Sequence, residues 1–210
     1  MRSFLTCTLF SLLLITGILT LNSCKKKVKG CTDPTATNYN SKAAVDNGLC
    51  SHLAIGQSYQ GGIIAYIYKT GDAGYDIDIV HGLIAYTKEV SSNMQWYNGI
   101  DKVTGATATA IGTGNANTNT IVSVQGSGSY AAQLCSDFVL NGYNDWYLPS
   151  QMDLKMLYIN RAIIGGFTNN GYWSSSEINS GAAWFLDFLN GSVSSNTKAV
   201  TECVRPVRSF

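Results

Sequence analysis

Charge is the scarcest commodity of this chain. Charged side chains make up 13% of its 210 residues, about half the usual share. The formal net charge is +1, so there is no basic field with which to neutralise a phosphate backbone, and nucleic acid is excluded as a partner. Histidine occurs only twice and no Cys-x-x-Cys is present, which removes the usual zinc ligand sets. No Gly-x-Ser-x-Gly elbow marks a hydrolase nucleophile. Proline is limited to three positions, Pro34, Pro149 and Pro206, each of which marks a turn, a helix start or a strand edge. Polarity comes instead from Asn, Ser, Thr and Gly, as in a loop-rich extracytoplasmic fold.

One long apolar run exists, and it lies at the start. Met1-Arg2 supplies a positive charge, Phe4 to Leu21 is almost wholly apolar, and Leu21-Asn22-Ser23-Cys24 follows. A small residue before a cysteine, directly after an apolar run, is the pattern of a bacterial lipoprotein signal. Residues 1–23 are therefore expected to be removed, with Cys24 acylated as the first mature residue. The rival reading is an uncleaved membrane helix, since the run approaches the ~20 residues that span a bilayer. Removal of Arg2 leaves 13 basic and 13 acidic side chains. Residues 24–29, with Lys25, Lys26, Lys27 and Lys29, read as a solvated basic tether. The expected location is the cell envelope, lipid-anchored, in the outer membrane. No acidic pair follows Cys24, so the sequence leaves the periplasmic or outward orientation open.

Six cysteines are present. Cys7 leaves with the signal and Cys24 takes the lipid, so four remain: Cys31, Cys50, Cys135 and Cys203. An oxidising compartment favours disulfides. Cys31 and Cys50 bracket a short polar unit and are expected to pair locally, which leaves Cys135 with Cys203. Loop closure gives about 3 kcal/mol for the short loop and about 4 kcal/mol for the long one.

Residues 30–50 form a small module that is too short for an apolar core and depends on its staple. Asp33, Asn38, Asp46 and Asn47 carry oxygens of the kind calcium takes, but the twelve-residue EF-hand spacing is missing. Asx turns and caps account for the same residues. Residues 51–210 form the main domain. Tyr59–Tyr68 and Asp76–Tyr86 read as strand material, and Trp96 as a core plug. Asn98–Thr120 reads as an irregular loop rich in Gly, Thr, Ala and Asn. A helix is expected over Ser129–Leu140, with Ala131, Leu134, Cys135, Phe138 and Val139 on one stripe. A second helix starts at Ser150, where Ser150-x-x-Asp153 forms a capping box and Leu154, Leu157 and Tyr158 face inward. Strands follow at Gly171–Ser175, Ala183–Leu189 and Ala199–Arg208, with a turn at Asn190-Gly191 and an edge or bulge at Pro206.

Several motifs fall together in order: the core-cysteine helix, Gly142-Tyr143-Asn144-Asp145-Trp146-Tyr147-Leu148-Pro149-Ser150, Tyr172-Trp173-Ser174-Ser175-Ser176-Glu177, and Val204-Arg205-Pro206-Val207-Arg208. Together they resemble the Lcl C-terminal domain family of bacterial envelope proteins over roughly Gly56–Phe210. The related Fibrobacter-type major paralogous domain shares the pattern. Cys31–Cys50 in turn resembles a short Cys-Thr-Asp-Pro-x-Ala-x-Asn-Tyr repeat of envelope and secreted proteins. The resemblance implies an α+β, C-type-lectin-like domain with two helices and short antiparallel strands, carrying a carbohydrate-binding or adhesion role. The family's commoner arginine after the Trp of Trp-x-Leu-Pro is Tyr147 here, which removes any contact that arginine would make. The calcium triplets of true lectins, Glu-Pro-Asn or Gln-Pro-Asp with Trp-Asn-Asp, do not occur.

Three further readings are weaker. Gly126-Ser127-Gly128-Ser129-Tyr130-Ala131 matches a dinucleotide fingerprint, but position 151 is Gln where an acid is wanted. Ser174–Ser176 beside Glu177, with His81, is a hydrolase decoy. Formylglycine-generating oxidases share the lectin-like architecture and need a reactive cysteine pair, for which only Cys135 and Cys203 could serve; two free thiols would favour that enzyme. The tryptophans Trp146, Trp173 and Trp184 are framed as core. Arg205 and Arg208 are expected to include at least one internal ion pair, with Asp187, Glu177 or Glu202. Glu177, Asn179, Asn117 and Asn119, polar residues in expected loops, are the ligand candidates. The expected function is non-catalytic recognition of a glycan or protein partner at the envelope, with a structural or assembly role as the alternative.

Overall fold

The computed structural model describes residues 26–210. The expected signal peptide 1–23, Cys7 and the acylation site Cys24 lie outside the described residues. The fold is mixed α+β, mostly sheet, with four short helices among the described residues. It has four helices where two were expected, and its short strands, expected antiparallel, include a parallel pairing of Thr201–Val204 with Gly171–Glu177.

The N-terminal module pairs β1 (Lys29–Gly30) with β2 (Val45–Asp46) in parallel. Cys31 and Cys50 form the expected disulfide, with an S–S length of 2.04 Å. Asp33 Oδ1 accepts from Thr35 N, Asp46 Oδ1 from Gly48 N, and Asn47 Oδ1 from Leu49 N. These carboxylate and amide oxygens are thus engaged in Asx turns. Among the described residues no cluster of three or more His, Cys, Asp or Glu is arranged to hold a metal ion.

A four-stranded sheet runs in the order β11 (Val207–Ser209), β5 (Gly82–Ala85), β4 (Gly62–Ile67), β3 (Ser58–Tyr59). A five-stranded sheet runs β6 (Ser91–Gln95), β10 (Thr201–Val204), β7 (Gly171–Glu177), β8 (Ala182–Asp187), β9 (Val193–Thr197). The expected last strand, 199–208, is split between the two sheets. Pro206 has no N–H to continue a ladder, so the chain leaves β10, crosses at Arg205-Pro206 and resumes as β11 at the edge of the other sheet. β10 also meets β7 in parallel, with Cys203 opposite Tyr172.

That pairing explains the core. Side chains alternate along a strand, so Tyr172 and Cys203 enter one cluster with Leu83, Leu154, Leu157, Leu186 and Phe188. Their neighbours Trp173 and Val204 enter a second cluster with Trp96, Ile121, Tyr130, Cys135 and Leu148. β7 is therefore covered on both faces, and Ser174, Ser175 and Ser176 are buried in the middle of a sheet rather than placed at an edge.

The helices are α1 (Gly114–Gln125), α2 (Ala131–Ser136), α3 (Gln151–Ile159) and α4 (Arg161–Ile164). α1 overturns the reading of 98–120 as loop throughout. Its inward face is Gly114, Asn117, Thr118, Ile121 and Gln125, a helical spacing written mostly in polar residues and hence invisible to apolar periodicity. α2 is shorter than expected: Val139 is exposed, and Phe138 leaves the helix to pack on Tyr86 and Trp146. α3 carries the expected capping box, with Asp153 N donating to Ser150 Oγ at 3.1 Å and Ser150 N donating to Asp153 Oδ2 at 2.9 Å. No helix of the described residues is long and apolar enough to cross a membrane.

Candidate functional site

The ligand candidates read from the sequence separate into different places. Glu177 closes β7, and its side chain has no exposure. Lys198 Nζ donates to Glu177 Oε1 at 2.6 Å and to Lys102 O at 2.9 Å. The amides of Thr104 and Gly105 donate to the same carboxylate, Gly105 N reaching Oε2 at 2.8 Å. Burial alone would raise the Glu177 carboxyl, but Lys198 and the two amides outweigh it and hold it below the ordinary 4.5. With every strong acceptor position used, Glu177 fastens the chain at Lys102–Gly105 onto the sheet. This corrects its reading as a loop ligand.

Asn117 and Asn119 lie in α1, not in a loop. Asn117 is buried, donating to Ala108 O at 2.6 Å and to Ser175 Oγ at 3.3 Å. Asn119 is exposed on the helix, donating to Asn115 Oδ1 at 3.0 Å. Asn179 alone lies in a turn as expected, where its Oδ1 accepts from Gly181 N at 2.9 Å. Val103, at 66% exposed, stands in the segment that Glu177 fastens, and Ile100, at 62%, just before it. The four candidates therefore do not converge on one point.

The serines of β7 are equally committed. Ser174 Oγ donates to Trp184 O and Ser176 Oγ to Ala108 O, each at 2.8 Å, and Gln151 N donates to Ser176 Oγ at 3.0 Å. His81 Nδ1 lies 2.9 Å from Phe210 O, and Ser174 and Ser176 direct their hydroxyls to carbonyls instead of to an imidazole. No nucleophile–base pair results.

Cys135 and Cys203 are both free and buried, which corrects the expected second disulfide. The physical reason is strand parity. Val204 points toward the cluster that holds Cys135, and Cys203 points the other way. Burial pushes both thiols up, Cys135 well above its ordinary value, away from the reactive thiolate.

The two C-terminal arginines are structural, with partners other than those expected. Arg208 Nε and Nη2 each donate to Asp145 at 2.7 Å, and its guanidinium stacks 4.2 Å over the Tyr143 ring. Arg205 has carbonyl partners: it donates to Tyr86 O, to Gly166 O at 2.6 Å and to Gly165 O at 2.9 Å, and lies over Phe167. Burial lowers Arg205 to about 10. Trp96 and Trp173 are core as expected, and Trp146 is buried, whereas Trp184 is only half-buried.

Lys198 and Asp145 were missed by sequence reasoning. The signal for Lys198 was the scarcity of charge: an acid ending a strand of aromatics and serines must be paired if it is buried. Nothing local pointed to a lysine 21 positions away. A model of the Lcl C-terminal domain matches residues 85–208. No curated protein matches the chain.

Proposed function

The chain belongs to the Lcl C-terminal domain family, and from that premise we propose that it is an envelope lipoprotein whose domain recognises a glycan or a protein partner without catalysis. The domain is read as C-type-lectin-like, in keeping with its mixed sheets, short helices and the resemblance of its ordered motifs. The observation that carries the non-catalytic reading is the fate of its reactive groups. Glu177, Ser174–Ser176, Cys135 and Cys203 are buried; Glu177, Ser174 and Ser176 are bonded to main-chain atoms and Ser175 Oγ accepts from Asn117 Nδ2. Two free thiols answer the chemical requirement of a formylglycine-type oxidase. Their placement in separate clusters argues against a reactive pair.

The lipid anchor on Cys24, removal of residues 1–23, the tether 24–29 and an outer-membrane location complete the proposal. Their support is the signal pattern in the sequence. Two or three acyl chains, at about 0.8 kcal/mol per buried CH₂, would hold the protein firmly. Mass spectrometry of the membrane-extracted protein checks the anchor: acylated Cys24 is expected, and an intact Met1 or unmodified Cys24 contradicts it. An array of neutral and acidic glycans, probed with the full chain in detergent, checks recognition. Reproducible binding to one glycan class is expected. Silence across the array favours the assembly role.

A further inference from the structure

A cavity of about 210 Å³ lies between the stapled module and the main domain, lined by Tyr39, Asn40 and Ser41 on one side and Tyr75, Ile77 and His81 on the other. It is smaller than the roughly 300–1,000 Å³ of sites that enclose a drug-sized ligand, so it suits one end of a longer molecule. Two features give it a fixed shape. Asn38 Nδ2 donates to Leu49 O at 2.8 Å within the module and to Asp78 O at 3.2 Å across the cleft. Asp76 Oδ1 accepts from Asp78 N at 2.7 Å and Ile79 N at 3.2 Å, setting the turn of the opposite wall.

Its chemistry is mixed. Tyr39 is 46% exposed and Tyr75 38%, so each presents ring surface to solvent. Amide and hydroxyl groups stand beside them, and His81 holds its Nδ1 2.9 Å from Phe210 O. One lysine, Lys42, and one aspartate, Asp76, line the cleft, which gives no net charge to attract an acidic ligand. Aromatic rings with an apolar face beside uncharged hydrogen-bonding groups suit a sugar ring, with its C–H face and its hydroxyl rim. We infer that this cleft is a binding site for the end of a neutral oligosaccharide, built jointly by residues 37–42 and 67–81. It lies outside the matched region 85–208, so the family does not supply it. The inference rests on the recognition reading and names the site and the ligand class.

The test uses the full chain in detergent and neutral tetrasaccharides of glucose and of N-acetylglucosamine, with heparin tetrasaccharide as the acidic comparison, by calorimetry. Tyr39→Ala and Tyr75→Ala should each weaken binding of a neutral tetrasaccharide about tenfold, and Tyr39→Phe should retain it. Ile100→Ser and Val103→Ser should leave it unchanged. An intact Cys31–Cys50 bridge and an unshifted melting temperature show that the variants fold. Glycan binding untouched by both alanine variants, binding lost in the Ile100 and Val103 variants instead, or binding of heparin alone overturns the inference while leaving recognition standing. Silence toward every saccharide overturns both the inference and the glycan reading on which it rests.

Discussion

Lys198 Nζ lies 2.6 Å from Glu177 Oε1, and neither side chain meets solvent. In a chain with so little charge, this pair is a costly element. Burying two ions costs several kcal/mol apiece unless geometry and further hydrogen bonds compensate. Here the compensation is complete: the carboxylate also receives Thr104 and Gly105, the ammonium also reaches Lys102 O, and Nζ sits 4.5 Å over the Trp96 ring. The pair is thereby made a joint between the end of β7, the turn between β9 and β10, and the loop before α1.

Glu177→Gln should destabilise the protein by about 3–5 kcal/mol at pH 7, because it leaves Lys198 buried and unpaired. The sign of the pH dependence follows from the lowered carboxyl. A depressed folded value contributes stability that is present above the ordinary 4.5 and is lost as pH falls through the folded value. Denaturant midpoints of wild type and variant should therefore converge on acidification below 4.5. A gap independent of pH contradicts this role.

Cys135 and Cys203 should resist alkylation in the native protein and react fully once it is unfolded, since burial raises both thiols and hides them from reagent. Peptide mapping by mass spectrometry reads both sites separately. A Cys135–Cys203 cross-linked peptide in the native, non-reduced protein would restore the second disulfide and refute the two-cluster arrangement.

Three of the tryptophans should respond unequally to replacement by phenylalanine. Trp96 Nε1 donates to Ser174 O and Trp173 Nε1 to Met94 O, each at 2.8 Å. Trp146 Nε1 is buried and has no acceptor among the described residues. Trp96→Phe strands the buried Ser174 carbonyl, adding about 1–3 kcal/mol to the loss of packing, and Trp173→Phe takes the donor from the part-buried Met94 carbonyl. Trp146→Phe loses packing alone, against Tyr86 and Phe138. Urea midpoints should place Trp146→Phe nearest to wild type; equal shifts for all three would contradict the assignment.

Much of the scaffold is legible in the sequence where local chemistry decides it. The Ser150–Asp153 box, the Cys31–Cys50 staple and the strand over Gly171–Ser175 rest on neighbours in the chain, and each is found. What escaped depends on long-range partners. α1 hides because Asn117, Thr118 and Gln125 face the core as hydrogen-bonding groups, and no hydropathy pattern marks a polar inward face. Cys203 escaped because which sheet face a residue takes depends on where Pro206 breaks the strand. Glu177 looked like a ligand because its partner Lys198 and the Thr104 and Gly105 amides come from segments that the sequence does not bring together.

The sharpest test of Glu177 as a fastener, not a ligand, is hydrogen–deuterium exchange at the Thr104 and Gly105 amides in wild type and Glu177→Gln. Both amides end on a buried carboxylate, so in wild type they should exchange as slowly as the β7 core. In the variant they should exchange at least tenfold faster while β4 and β5 keep their protection. Fast exchange in wild type, or unchanged slow exchange in the variant, would contradict it.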